Sequence, residues 1–226
     1  MPQIYIAGIH TDVGKTHFSV AFCKAFGYGY FKLVQAGEPS DSSRIRAFMP
    51  DCEVFSEGIY LATPASPHIA KVLEGCEYHA LDLAIPCATN LIIELAGGLY
   101  TPIDDTLCMI DYMLAYPRPC ILVGRYYLGC INHILLSMQA LHTANIEVLC
   151  IAMLDESTQQ NQSVSTKAQE YTASIPETMV LIDAFLMQHN LCKSTPLIHV
   201  PLFDTNNFVA KTQELYEKLS PLLQIQ

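Results

Sequence analysis

The chain alternates short, almost uninterrupted apolar runs with stretches of helical length. Gln3–Ala7, Tyr30–Gln35, Leu91–Leu95, Cys120–Val123, Val148–Leu154 and Leu197–Val200 have the length and composition of strands. They are near-continuous in apolarity rather than alternating, as expected of strands covered on both faces. Helices are expected over Lys15–Phe26, Ser42–Phe48, Pro67–Glu74, Thr106–Ala115, Ile131–Thr143, Gln160–Thr172 and Asn207–Leu219. This βαβ rhythm predicts an α/β fold, a doubly wound and mostly parallel sheet flanked by helices.

The pattern shows no internal repeat. Its one compositional dip, Asp155–Gln169, is rich in Ser, Thr and Gln and too short to link independent domains. It reads as a surface loop leading into a helix, with a lid over a bound nucleotide as the alternative. The last helix gathers Phe208, Leu215, Leu219, Leu222 and Leu223 on one side, with Lys211 and Lys218 balanced by Glu214 and Glu217. Without a basic excess it suits docking on the sheet better than lying on a membrane.

With 226 residues, 51% of them apolar, the chain can bury one sizeable core, and a single domain over residues 1–226 is expected. A formal charge of −10 with only 12 Lys+Arg argues against nucleic acid as a partner, because phosphate backbones demand clustered cations. The first residues lack a basic and apolar leader, and no apolar run approaches the ~18 residues of a membrane span, so a cytoplasmic protein with no membrane contact is expected. Nine cysteines without a Cys-x-x-Cys pair suggest neither a disulfide framework nor a zinc knuckle.

The chemistry is concentrated after the first strand. In Ala7-Gly8-Ile9-His10-Thr11-Asp12-Val13-Gly14-Lys15-Thr16-His17 a loop closes with Gly-Lys-Thr and opens a helix. Loop N–H groups and the positive helix end surround phosphate oxygens, Lys15 reaches the terminal phosphates and the Thr16 hydroxyl binds Mg²⁺. The common motif has four residues between its glycines, whereas five separate Gly8 from Gly14. His10 and Asp12 read as solvated loop residues.

Phosphate-bound Mg²⁺ needs further oxygens. Glu94 ends a buried strand where a parallel sheet presents its ligand crevice, and is a metal candidate. Asp41, in Ser40-Asp41-Ser42, suits an N-cap as well as a metal ligand. Lys32, within the second apolar run, either snorkels at a strand edge or joins Lys15 in stabilising a transferring phosphoryl group. The Leu128–Asn132 segment opens a helix, as an ordinary start or as a receptor for a carboxylate.

Several segments in order resemble the dethiobiotin synthases: Gly8 to Thr16 with its five-residue gap, Lys32 to Gly37, Thr63 to His68, Glu94 to Pro102 and Leu128 to His133. The resemblance runs from the first strand to about Asp155, then fades until Pro201-Leu202. It implies a P-loop homodimer that takes 7,8-diaminononanoate, CO₂ and ATP to dethiobiotin, ADP and phosphate. It further implies Mg²⁺ on Thr16, Asp41 and Glu94, and catalytic Lys15 and Lys32. The nucleotide is implied to lie against Asp12, Val13, Gly14, Lys15, Thr16, His17, Glu94, Leu95, Ala96, Gly97, Leu154, Asp155, Pro201 and Leu202. The substrate falls to Thr11, Lys32, Ala36 and, from the other subunit, Leu128, Gly129, Cys130, Ile131 and Asn132. Ala36 stands where the family often has a hydroxyl, Leu33 where it has proline, Leu95 where it has glycine, and Leu154 where an asparagine reads adenine. A partition-type or regulatory P-loop ATPase acting as a dimerising switch is the alternative, although residues 8–13 lack the extra lysine such proteins usually carry.

Overall fold

The computed structural model describes residues 3–154 and 176–223. Six strands form one parallel sheet: β1 (Ile4–Gly8), β2 (Gly29–Lys32), β5 (Leu91–Gly98), β6 (Cys120–Arg125), β7 (Val148–Leu154) and β8 (Leu197–Val200), in the order β2-β5-β1-β6-β7-β8. β1 sits between β5 and β6, so the chain winds outward from it in both directions. The sheet therefore has its crevice at the carboxyl end of β1, where α/β proteins bind ligands. Ile4–Ile6, Leu91–Ile93, Cys120–Val123 and Cys150–Met153 are all buried, which explains why these runs carry no polar alternation.

Helices α1 (Lys15–Phe26), α2 (Asp41–Phe48), α3 (Pro67–Glu74), α4 (Met109–Ala115), α5 (Cys130–Thr143), α6 (Pro176–Gln188) and α7 (Phe208–Leu223) accompany the strands. On α1, Phe18 and Phe22 pack in tandem inside the core, and Phe22 meets Tyr28 edge-on. Gly27 ends the helix in the left-handed region at φ 67°, its N–H donating to the Cys23 carbonyl. α7 lays buried Phe208, Thr212, Leu215 and Leu219 inward and packs on α1, with Tyr216 5.2 Å from Phe26. Docking was expected on the sheet; the helix docks chiefly on α1 and touches β7 and β8 less.

Three elements depart from the sequence pattern. The run Tyr30–Gln35 is two strands: the chain leaves the main sheet at Leu33, and β3 (Val34–Ala36) pairs in parallel with β4 (Ile59–Leu61) in a separate sheet. A three-residue strand such as β4 carries too little periodicity to read. The helix expected from Thr106 starts at Met109, because the N–H groups of Thr106 and Leu107 both donate to Asp104 Oδ1 in a turn. Helix α6 was not expected, since its exposed Val180, Leu181, Phe185 and Met187 blur any one-sided apolar stripe. The expected helix Gln160–Thr172 and the Asp155–Gln169 loop lie outside the described residues. No helix of the described residues is long and apolar enough to cross a membrane.

Candidate active site

The loop between β1 and α1 closes over the crevice. Gly8 leaves no room for a side chain, since a Cβ there would lie 2.9 Å from the His10 carbonyl oxygen and 2.9 Å from Val13 Cγ2. Gly14 takes φ 94°, and a Cβ on it would lie 2.5 Å from Leu154 Cδ2. The loop backs a cleft of about 1470 Å³ whose walls include Thr11, Asp12, Gly14, Lys15, Thr16, His17, Lys32, Ala36, Asp41, Glu94, Ala96, Gly97, Leu154 and Leu202. Val13 and Leu95 are buried beside it, and Pro201 contributes its carbonyl, 3.3 Å from His17 Nε2. Leu95, where the family has glycine, is buried with the core cluster and does not line the cleft. Asp155 lies outside the described residues.

One buried carboxylate organises the phosphate end. Glu94, 1% exposed, accepts from Thr16 Oγ1 at 2.9 Å, Ser19 Oγ at 2.7 Å, Tyr30 OH at 3.2 Å and Lys32 Nζ at 2.8 Å. Lys32 in turn lies 2.5 Å from Asp41 Oδ2. It is buried and doubly paired, so the snorkelling alternative does not hold. Burial opposes its charge, but Glu94 and Asp41 together outweigh burial and hold its pKa above the ordinary lysine value. For Asp41 the Lys32 ammonium likewise outweighs desolvation and lowers the pKa. The N-cap of α2 is Ser40, which accepts from the Ser43 N–H at 3.3 Å. Asp41 is thereby free to face the site, positioned by its own N–H donating to Gln35 Oε1 at 3.0 Å.

Lys15 donates to the carbonyls of Gly97 at 2.9 Å and His10 at 3.3 Å. Burial, reinforced by the Lys32 charge, lowers its pKa to about 8. An anion beside it would restore the ordinary value, so the site is built to receive negative charge. Thr16, Glu94 and Asp41 supply hard oxygen donors around a point already held by a cation, a donor set that suits Mg²⁺.

At the other end His17 stacks on Phe203 with centroids 3.8 Å apart, and Phe48 meets Phe203 edge-on. Burial drives the His17 pKa down to about 4, so the ring is neutral near pH 7. The segment Leu128–Asn132 opens α5 through Gly129 at φ 102°, with Leu128, Gly129 and Asn132 exposed and no acid in the first turn. It does not line the cleft of its own chain, whereas His133 of the same helix does.

An AAA domain family model matches residues 2–186. The ATP-dependent dethiobiotin synthetase BioD of Campylobacter jejuni subsp. jejuni strain 81-176 is 44% identical over 223 residues, 99% of this chain and 98% of the relative. The chain belongs to the dethiobiotin synthetase family. A second family member, from Brucella ovis, is 37% identical over 167 residues, 71% of this chain and 78% of its own. The resemblance read from motifs stopped near Asp155, whereas the Campylobacter synthetase aligns almost end to end. A solved structure from Borrelia burgdorferi B31, assigned to plasmid partition and bound to AMPPNP, matches with a TM-score of 0.52 at 8% identity over 99% of this chain and 98% of its own. That likeness shows the P-loop fold alone, so it lends no weight to a partition-type switch.

Sequence reasoning missed the groups that hold Glu94, Lys32 and Asp41 in place. Ser19 follows Thr16 by three residues and shares its helix face, a spacing that could have flagged it. Tyr30 and Gln35 gave no such signal. His10, read as a solvated loop residue, packs edge-on against Tyr127 at 5.2 Å and His133 at 5.8 Å, and its pKa is lowered chiefly by burial.

Proposed function

We propose that this single-domain protein closes the ureido ring of dethiobiotin from 7,8-diaminononanoate, CO₂ and ATP. Family membership makes it an ATP-dependent carbon–nitrogen ligase of biotin biosynthesis. The observation that supports the chemistry best is the pairing of Lys32 with Glu94 and Asp41 beside Lys15 and Thr16, two buried cations converging on one oxygen-lined point.

One substrate amine captures CO₂ and loses a proton to become a carbamate. A carbamate oxygen attacks the γ-phosphorus of ATP and ADP leaves, giving a carbamic–phosphoric anhydride. The second amine then attacks the anhydride carbonyl, phosphate departs with the C–O electron pair and takes up the proton the amine sheds, and the cyclic urea forms. Lys15 binds the transferring phosphoryl oxygens, and Lys32 neutralises charge between them and the carbamate. Thr16, Asp41 and Glu94 would hold Mg²⁺, which supplies charge neutralisation across the phosphates when bound. Thr11 and Ala36 border the substrate in the same cleft. The α5 start, exposed and outside that cleft, suits delivery of N–H donors to the substrate carboxylate of a partner subunit, which requires a homodimer. A cytoplasmic setting accords with nine free cysteines.

The test is ADP release with and without 7,8-diaminononanoate and bicarbonate. Strong stimulation by the pair together is expected. Release indifferent to the diamine would sink the synthetase reading.

A further inference from the structure

Among the charged side chains of the cleft that the chemistry above does not use, Arg125 stands out. Arg125 is the last residue of β6, in register with Leu154 on β7, and it lines the cleft. Its Nε is buried and has no hydrogen-bond partner among the described residues. The two cleft lysines, by contrast, are fully engaged with carbonyls or carboxylates. A guanidinium is all donor and keeps its charge, so a buried N–H without an acceptor costs free energy that a ligand acceptor would return.

The location of Arg125 selects the part of the ligand. It lines the cleft beside its register partner Leu154 and together with Leu202, Phe203 and His17, and with Arg44 its charge is felt by the His17 ring. There Leu154, Leu202 and the Phe203 ring present no hydrogen-bonding group, and Arg44 is exposed on α2. Given that the cleft takes a nucleotide, the geometry points to Arg125 as the residue that anchors its nucleoside half, donating to ring-nitrogen or ribose-oxygen acceptors. The apolar walls grip the base by shape, and Arg125 supplies the directional contact.

Isothermal titration of Mg-ADP and of Mg-tripolyphosphate into wild type, Arg125→Met and Arg125→Lys tests this. Arg125→Met should weaken ADP tenfold or more, as for loss of a hydrogen bond from a charged donor, and leave tripolyphosphate within twofold. Arg125→Lys keeps the charge without the planar fork and should remain at least fivefold weaker for ADP; it carries the comparison if the methionine variant does not fold. Unchanged ADP affinity overturns the assignment. Equal losses for both ligands also overturn it, since Arg125 would then serve the phosphates. If wild type binds neither ligand, the nucleotide reading itself fails, an outcome distinct from both.

Discussion

The two ends of the cleft solve opposite problems. At the phosphate end, charge is abundant and paired: one carboxylate takes four donors, and Lys32 bridges two acids. At the His17–Phe203 end the walls are rings and aliphatic chains, with one buried guanidinium nitrogen that no described residue pairs. A highly charged ligand moiety meets a preorganised ionic network, which costs little reorganisation on binding. A flat, weakly polar moiety meets a shape and few directed contacts. Fixed electrostatics should therefore dominate turnover and stability at the first end, and packing should dominate selectivity at the second.

The sharpest break of that contrast is Glu94→Ala. Removing the acceptor shared by Thr16, Ser19, Tyr30 and Lys32 strands buried donors and should cost about 3–5 kcal/mol in urea unfolding. A loss under about 1 kcal/mol would mean the network is not organised by Glu94. Next, Lys32→Ala should cut turnover by about 10²–10³-fold while nucleotide affinity changes only a few-fold, read from steady-state kinetics beside ADP calorimetry. Equal losses in both would make Lys32 a nucleotide ligand instead.

The pH responses separate the ends further. His17 takes a proton near 6.5 when unfolded but only near 4 when folded, so the unfolded chain binds more protons between those values. Stability should fall as pH drops through that window, by ~3 kcal/mol in total, and His17→Phe should flatten the slope in acid denaturation curves. Lys15 responds on the alkaline side. Its folded pKa of about 8 lies below the ordinary 10.5, so global stability rises between the two as the unfolded chain sheds its excess proton. ADP affinity should be flat below pH 8 and weaken above it, by up to about tenfold per unit, as the ammonium that meets the phosphates disappears. Affinity that stays flat to pH 10 would show that loop N–H groups carry the phosphates without Lys15.

Local chemistry made the phosphate end legible. Gly14, Lys15 and Thr16 are adjacent, and their order encodes loop, cation and hydroxyl without reference to the rest of the chain. Glu94 could be suspected because a charge at the end of an apolar run is conspicuous. Asp41 stayed ambiguous until Ser40 was seen to cap α2. Arg125 escaped notice because an arginine at the end of a strand is ordinary, and only the lack of an acceptor for its Nε among the described residues sets it apart.

The amino-acid order alone determined the strands buried on both faces, the phosphate loop and the family, because apolar continuity, glycine spacing and short motifs are properties of neighbouring residues. Tertiary structure decided the rest. Lys32 and Glu94 lie 62 positions apart and meet only because β2 and β5 pair in register. The break of Tyr30–Gln35 into two strands depends on Ile59–Leu61 arriving beside Val34. Arg125 borders Leu154 because β6 and β7 are sheet neighbours. Each of these is a long-range pairing set by which surfaces bury against each other, and no local window of the sequence contains both partners.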